Sequence, residues 1–344
     1  MLVLVYILSG VAVLVVLTGL LLSAPKYKGS ISDHFDGKRF FNPNGAHAAG
    51  VRDVLKWMFT RRRGHWSRVD NVSFGHKPAE KVEQGLSITF INHSTFLIQT
   101  DGLNIITDPI WSKRASPFNW VGPVRRRPPG LRIEDLPGID AILLSHNHYD
   151  HLDVRTLKCL HDEFRPAIFT GLGEKKFLDK KGIYTGVEMD WWSEQQLNSS
   201  TKLVCVPAQH FSGRGMFDRD RTLWCGFVIQ RNEGNVYFAA DTGYNNELFK
   251  EVGKRMAPIL AAILPIGAYK PGWFMSPIHT SPAEAVKIHL DVNAKKSIAS
   301  HFGTFPLADE GEEETYNDLK IALENNKLTS SDFLIMNEGE TIQC

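Results

Sequence analysis

Ala141-Ile-Leu-Leu-Ser-His-Asn-His-Tyr-Asp-His151 is the stretch that decides how this chain reads. Ala141–Leu144 is continuously apolar, as expected of a strand buried on both faces. Immediately after it, His146, His148, Asp150 and His151 place three imidazoles and a carboxylate within six positions. A lone histidine beside an apolar strand is usually a hydrogen-bonded structural residue. Four candidate ligands at one strand end are poorly explained that way. Imidazole and carboxylate without thiolate suit a hydrolytic metal, and one tetrahedral zinc takes about four ligands. So short a loop cannot turn all four donors onto one ion, which makes two ions the economical reading.

Three further candidates share the setting of an apolar run ending at a ligand type. Lys202–Val206 leads to His210, Val236–Ala240 to Asp241, and Ser297–Ser300 to His301. Loops after strand ends are where a rigid sheet delivers functional groups.

From Leu86 onward, short apolar runs alternate with helical patterns. Strands are predicted at Leu86–Ile91, Phe96–Gln99, Asn104–Thr107, Ala141–Leu144, Ala167–Thr170, Lys202–Val206, Trp224–Gln230, Val236–Ala240, Ile259–Leu264, Ser297–Ser300 and Phe333–Met336. Asp101-Gly102 marks a hairpin turn between Thr95 and Thr107. Helices are predicted at Val154–Phe164 behind Asp153, Glu174–Lys180, Asn245–Lys254, Pro282–Asp291 behind Ser281, and Glu313–Asn325. This pattern predicts a layered α/β domain over residues 86–344 with its sheets in the middle. Residues 25–85 are polar and rich in turn residues, with one amphipathic segment at Val51–Phe59. They read as an extended arm packing on the domain.

Residues Leu2–Leu22 carry no charged side chain. As a helix they would span roughly the 30 Å bilayer core. The run is too long for a signal-peptide core and has no preceding Lys or Arg. Residues 1–24 are therefore expected to form a single uncleaved transmembrane anchor. Lys26, Lys28, Lys38 and Arg39 follow it and place the domain on the cytoplasmic side of the inner membrane.

A net charge of +1 argues against nucleic acid as a partner, and the basic clusters Arg61–Arg63 and Arg125–Arg127 read as solvated surface. The four cysteines, Cys159, Cys205, Cys225 and Cys344, include no close pair, so neither a thiolate zinc site nor a disulfide framework is expected. The sequence leaves a homodimer open.

With these residues in view, the chain resembles the metallo-β-lactamase superfamily. Within that superfamily it resembles the N-acyl-phosphatidylethanolamine-hydrolysing phospholipase D family. The resemblance rests on the His146-x-His148-x-Asp150-His151 motif with His210, Asp241 and His301. It also rests on Thr107-Asp108-Pro109-Ile110, Asp190-Trp191-Trp192, Pro207-Ala208-Gln209-His210, Ala240-Asp241-Thr242-Gly243-Tyr244 and His301-Phe302-Gly303-Thr304-Phe305. It implies a four-layer αββα sandwich and two zinc ions per chain. His146, His148 and His210 would hold the first ion, Asp150, His151 and His301 the second, with Asp241 bridging. It further implies a bridging hydroxide attacking the phosphorus of a phospholipid, releasing N-acylethanolamine and leaving phosphatidic acid.

By the same resemblance, Asp108 would orient a ligand imidazole and His93 would stand behind the ligands. His279 would lie near the substrate phosphate, so that Asp150 and His279 are the catalytic candidates. Trp191 and Trp192 fit packing better than a lipid entrance, and Tyr269–Met275 reads as a mobile aromatic loop. Other hydrolases on the same metal set, a lactonase or a cyclic phosphodiesterase, are the first alternative. A non-catalytic tethered metal-binding protein is the second.

Overall fold

The computed structural model describes residues 2–70 and 74–344, with the side chains of residues 2–5, 7, 8, 11 and 12 outside the description. Two seven-stranded sheets lie face to face. The first takes β1 (Leu86–Asn92), β2 (Thr95–Thr100), β3 (Leu103–Thr107), β4 (Ala141–Leu144), β5 (Ala167–Gly171) and β6 (Gly186–Met189). The second takes β7 (Glu194–Gln196), β8 (Lys202–Val206), β9 (Gly226–Gln230), β10 (Asn235–Phe238), β11 (Ile259–Pro265), β12 (Lys296–Ser300) and β13 (Phe333–Leu334). The last strand, β14 (Thr341–Gln343), crosses back to pair with β1.

Each sheet joins an antiparallel part to a parallel one. β1, β2 and β3 are antiparallel neighbours, whereas β3 through β6 run parallel. In the second sheet β7 through β10 are antiparallel and β10 through β13 parallel. The β2–β3 turn brings Thr100 opposite Leu103, with Asp101 at φ 49° and Gly102 at φ 73°. Positive φ at both central residues is what a two-residue hairpin requires.

The helices are α1 (Leu2–Leu22), α2 (Val51–Thr60), α3 (Val154–Phe164), α4 (Lys175–Lys180), α5 (Asn246–Met256), α6 (Gly272–Met275), α7 (Pro282–Asp291) and α8 (Glu312–Asn325). Asp153 caps α3 by accepting the Arg155 N–H, and Ser281 with Glu284 forms a capping box on α7. Between the sheets, Ile88, Phe90, Ile98 and Leu143 meet Leu203, Cys205, Phe227 and Phe238 in one buried cluster. Outside the first sheet, Leu97, Ile142 and Ile168 pack on Leu157 and Leu160 of α3 and Leu178 of α4. Phe249 of α5, Val286 of α7 and Leu319 of α8 join the core on the other side. The result is helix, sheet, sheet, helix.

Segment 24–49 lies against the domain. Phe35 and Phe40 bury themselves with Leu223 and Trp224. Asn42 donates to the His210 carbonyl at 2.9 Å and accepts from the Trp224 indole N–H at 3.1 Å. The arm thereby props the strand end that carries His210. Trp191 packs on His34 and donates to the Trp224 carbonyl, so it lines no entrance. The Tyr269–Met275 stretch also departs from its expected loop form. It contains α6, buries Tyr269, Phe274 and Met275, and ties the Tyr269 hydroxyl to Asp318 at 2.6 Å.

Among the described residues, no helix is long and apolar enough to cross a membrane. This corrects the expected single-pass anchor over residues 1–24, and with it the inner-membrane location and the orientation read from it. Leu2–Leu22 is helical, but from Gly19 onward it belongs to the domain surface. Gly19 is buried, and a Cβ there would lie 3.1 Å from the Phe217 ring and 3.2 Å from the Met216 sulfur. Ser23 accepts the Phe217 N–H at 3.3 Å, and Asp218 accepts the Ala24 N–H at 2.7 Å. The helix outside that seat covers about 25 Å at about 1.5 Å per residue, against a bilayer core of about 30 Å.

Candidate metal centre

The strand ends of the two sheets converge on one rim. β4 delivers His146, His148, Asp150 and His151; β8 leads to His210, β10 to Asp241 and β12 to His301. All seven side chains are buried or nearly so.

Their donor atoms form two sets. His146 Nε2 lies 2.8 Å from His148 Nδ1, which lies 3.3 Å from His210 Nε2. Asp150 Oδ2 lies 3.2 Å from His301 Nε2 and 3.4 Å from His151 Nε2. Asp241 Oδ2 touches both sets, at 3.2 Å from His151, 3.1 Å from His301 and 3.8 Å from His210. The His/Asp cluster is able to bind metal. Facing imidazole nitrogens can share at most one proton per pair, and His151 Nε2 and Asp241 Oδ1 are buried without a hydrogen-bond partner. Lone pairs crowded in this way fit a cation and nothing else in the protein's own repertoire.

Three of these rings, those of His146, His151 and His210, are aimed by a second bond, as metal-ligating histidines normally are. Asp108, at the end of β3, accepts from His151 Nδ1 at 2.7 Å, from Ser145 Oγ at 2.6 Å and from the Ser145 N–H at 2.8 Å. Ser145 Oγ in turn lies 2.9 Å from His146 Nδ1, so one carboxylate orients two rings. His210 Nδ1 donates to the Ile278 carbonyl at 2.7 Å. Asp108, Ala240 and His301 adopt φ of 31°, 54° and 58°, an unusual conformation that clusters where geometry matters for function.

Charge is distributed accordingly. Burial opposes ionisation of Asp150 and Asp241, but the adjoining imidazoles outweigh it and hold both carboxyls well below the ordinary range. Burial likewise pulls His301 down, yet Asp241 and Asp150 raise it to about 9. His148 falls to about 4, chiefly through burial.

The remaining candidates surround this core. His93 sits behind it, with Nε2 3.1 Å from Asp150 Oδ2, and its carbonyl accepts the His301 N–H at 2.9 Å. His279 lies at the rim, where Nδ1 is 3.8 Å from Asp241 Oδ2 and has no hydrogen-bond partner. Burial lowers its pKa to about 4.

Two contributors escaped the sequence reading. The Ile278 carbonyl is a backbone group and carries no residue signature. Arg214 donates from one nitrogen to the carbonyls of Asn147 and Leu152, both at 2.8 Å, clamping the two ends of the His148–His151 loop. Only its position after Gly213, in a loop following His210, could have drawn notice.

Asp108→Ala is expected to fold and to lose roughly 10–100-fold in metal affinity or activity, since it removes the acceptor behind two rings. Metal content and turnover together check this. Wild-type values for both would reduce Asp108 to a turn residue.

Comparison with known proteins gives the family and the fold. The family described as Beta-lactamase superfamily domain matches residues 103–302. The chain is 39% identical over 235 residues, 65% of its length, to an N-acyl-phosphatidylethanolamine-hydrolyzing phospholipase D of Caenorhabditis elegans. It is 33% identical over 227 residues, 64% of its length, to a mitochondrial protein of that description from Saccharomyces cerevisiae. The matches span 66% and 48% of those relatives. Among solved structures, an isothiocyanate hydrolase from Delia radicum gut bacteria superposes with a TM-score of 0.59 at 20% identity, covering 75% of this chain and 100% of the other.

Proposed function

Because the chain belongs to the β-lactamase superfamily of metal-dependent hydrolases, we propose that its histidine–aspartate cluster holds two zinc ions. We propose further that it hydrolyses the phosphodiester of an N-acyl-phosphatidylethanolamine. The observation that carries this reading is Asp241 Oδ2, in contact with both donor sets at 3.1–3.8 Å. In this reading His146, His148 and His210 hold one ion, Asp150, His151 and His301 the other, and Asp241 lies between them. Two divalent ions in such a site supply Lewis acidity toward a phosphoryl oxygen and a water whose pKa falls to about 7.

The chain's own groups do the rest. Asp108 and the Ile278 carbonyl hold the rings in one orientation. Phe211, its ring 4.4 Å from that of His148, and Phe305, 5.4 Å from that of His93, supply apolar faces beside the centre that limit water near the reacting bond. Water oxygen bonds to phosphorus as the bond from phosphorus to the ethanolamine oxygen breaks. The attacking water gives up a proton and the departing oxygen takes one up; His279, kept neutral by burial, is the imidazole at the rim placed to carry that proton from one to the other. N-acylethanolamine and phosphatidic acid result. The substrate assignment draws on the descriptions of the Caenorhabditis and Saccharomyces relatives.

The test is zinc-loaded protein with detergent-dispersed N-acyl-phosphatidylethanolamine in water enriched in oxygen-18. Label in the phosphatidic acid, with unlabelled N-acylethanolamine, is the expected result. Turnover of a lactone or a cyclic phosphodiester, with the phospholipid untouched, would overturn the substrate while leaving the metal centre standing.

A further inference from the structure

Against the metal loop, with Tyr149, Leu152 and Asp153 in its lining, lies a cavity of about 380 Å³. That volume falls within the range of ligand pockets, about 300–1,000 Å³. It is lined by five cationic side chains, Lys113, Arg114, Arg155, Lys181 and Arg214. Among the described residues, none of the five forms a salt bridge to the one carboxylate there, Asp153, or to any other acid. Asp153 is already engaged: its oxygens accept from the N–H groups of Ser112 and Arg155 and from the Thr156 hydroxyl, at 2.6–3.2 Å. Five positive charges thus face one spent negative charge in a chain whose net charge is only +1.

The rest of the lining is apolar. Phe118, Pro117, Phe177 and Leu22 supply walls, and Arg214 and Lys181 lie over the Phe177 ring at 5.1 and 5.2 Å. Cations held over aromatic faces keep their charge while leaving a greasy floor. A bare inorganic anion would use the charges and waste the walls; a neutral chain would use the walls and leave the charges uncompensated. The cavity therefore combines the two demands of one class of ligand.

We propose that this cavity binds a single-chain anionic amphiphile, with its phosphate or carboxylate among Arg155, Lys181 and Lys113 and its chain against Phe118 and Phe177. The site is separate from the metal centre but connected to it. Arg214 lines the cavity and clamps the loop that carries His148, Asp150 and His151. Tyr149, within that loop, donates its hydroxyl to the Arg214 carbonyl at 2.9 Å and lies under its guanidinium at 4.1 Å. Occupancy of the cavity thus bears on the loop directly.

The test is calorimetric titration of the metal-loaded protein with dodecyl phosphate below its micellar concentration. Inorganic phosphate and dodecyl maltoside serve as the two partial ligands. One dodecyl phosphate per chain is expected, with either partial ligand at least tenfold weaker. Arg155→Glu with Lys181→Glu should weaken dodecyl phosphate at least tenfold. Lys113→Glu, on a different segment, should weaken it in the same direction, which guards against a folding defect in the pair. Asp241→Asn, at the metal centre, should leave this binding unchanged, so failure here is distinguishable from failure of the proposed reaction. Equal affinity for dodecyl maltoside or inorganic phosphate, full retention in both charge-reversal variants, or loss on Asp241→Asn would each overturn the proposal.

Discussion

Asp241→Asn is expected to bind at most one zinc ion per chain and to lose about a thousandfold or more in turnover. The substitution keeps size and shape, so the buried site should still assemble. What it removes is the negative charge whose Oδ2 lies 3.2 Å from His151, 3.1 Å from His301 and 3.8 Å from His210. Among the described residues no other carboxylate contacts both donor sets: Asp150 contacts His93, His151 and His301 but none of the other set. A metal's charge stabilisation is worth several kcal/mol, and each 1.36 kcal/mol is tenfold, which sets the loss near a thousandfold. Elemental analysis and turnover on one preparation check both halves. A variant with two ions and near wild-type turnover would remove Asp241 from between the ions.

His279→Ala should behave differently. Its Nδ1 is 3.8 Å from Asp241 Oδ2, and its ring centroid is 5.0 Å from that of His210, yet neither of its neighbours depends on it for orientation. His210 takes its second bond from the Ile278 carbonyl instead. Metal content should therefore remain at the wild-type value while kcat falls about 10²–10⁴-fold, the range for a positioned proton donor. A substrate with a better leaving group, such as a p-nitrophenyl phosphodiester, should suffer a much smaller loss. Loss of metal on His279→Ala would make the ring a ligand; unchanged kcat on the phospholipid would make it a structural residue before α7.

The parts of the molecule that were legible in the sequence are those where local chemistry decides. The apolar run Ala141–Leu144 ends in ligands because a strand buried on both faces has to change character where it leaves the sheet. Helix α3 behind Asp153 and helix α7 behind Ser281 appear at the predicted positions because their caps satisfy N–H groups within four residues. The short edge strands were harder. All three residues of β7 are exposed, and β14 has no buried residue, so neither carries an apolar run to read. Their pairing with β8 and β1 is a tertiary fact.

The N-terminal segment misled for a physical reason. Hydropathy along Leu2–Leu22 reports what the helix would tolerate, whereas Gly19 and Ala24 report what it touches. Packing against Met216 and Phe217 nearly 200 residues away has no trace in the local pattern. The supporting bonds of the metal centre divide similarly. Asp108 was found through its motif, whereas the Ile278 carbonyl and the Arg214 clamp depend on chain paths that only the folded molecule brings together.

The proposed reaction depends on one binuclear centre formed by the two donor sets that Asp241 joins. That centre is tested most directly by elemental analysis of the full chain after zinc loading and removal of weakly held metal. Close to two zinc ions per chain are expected, falling to one or fewer on Asp241→Asn. A value near one in correctly folded wild-type protein, unchanged by that substitution, would contradict it.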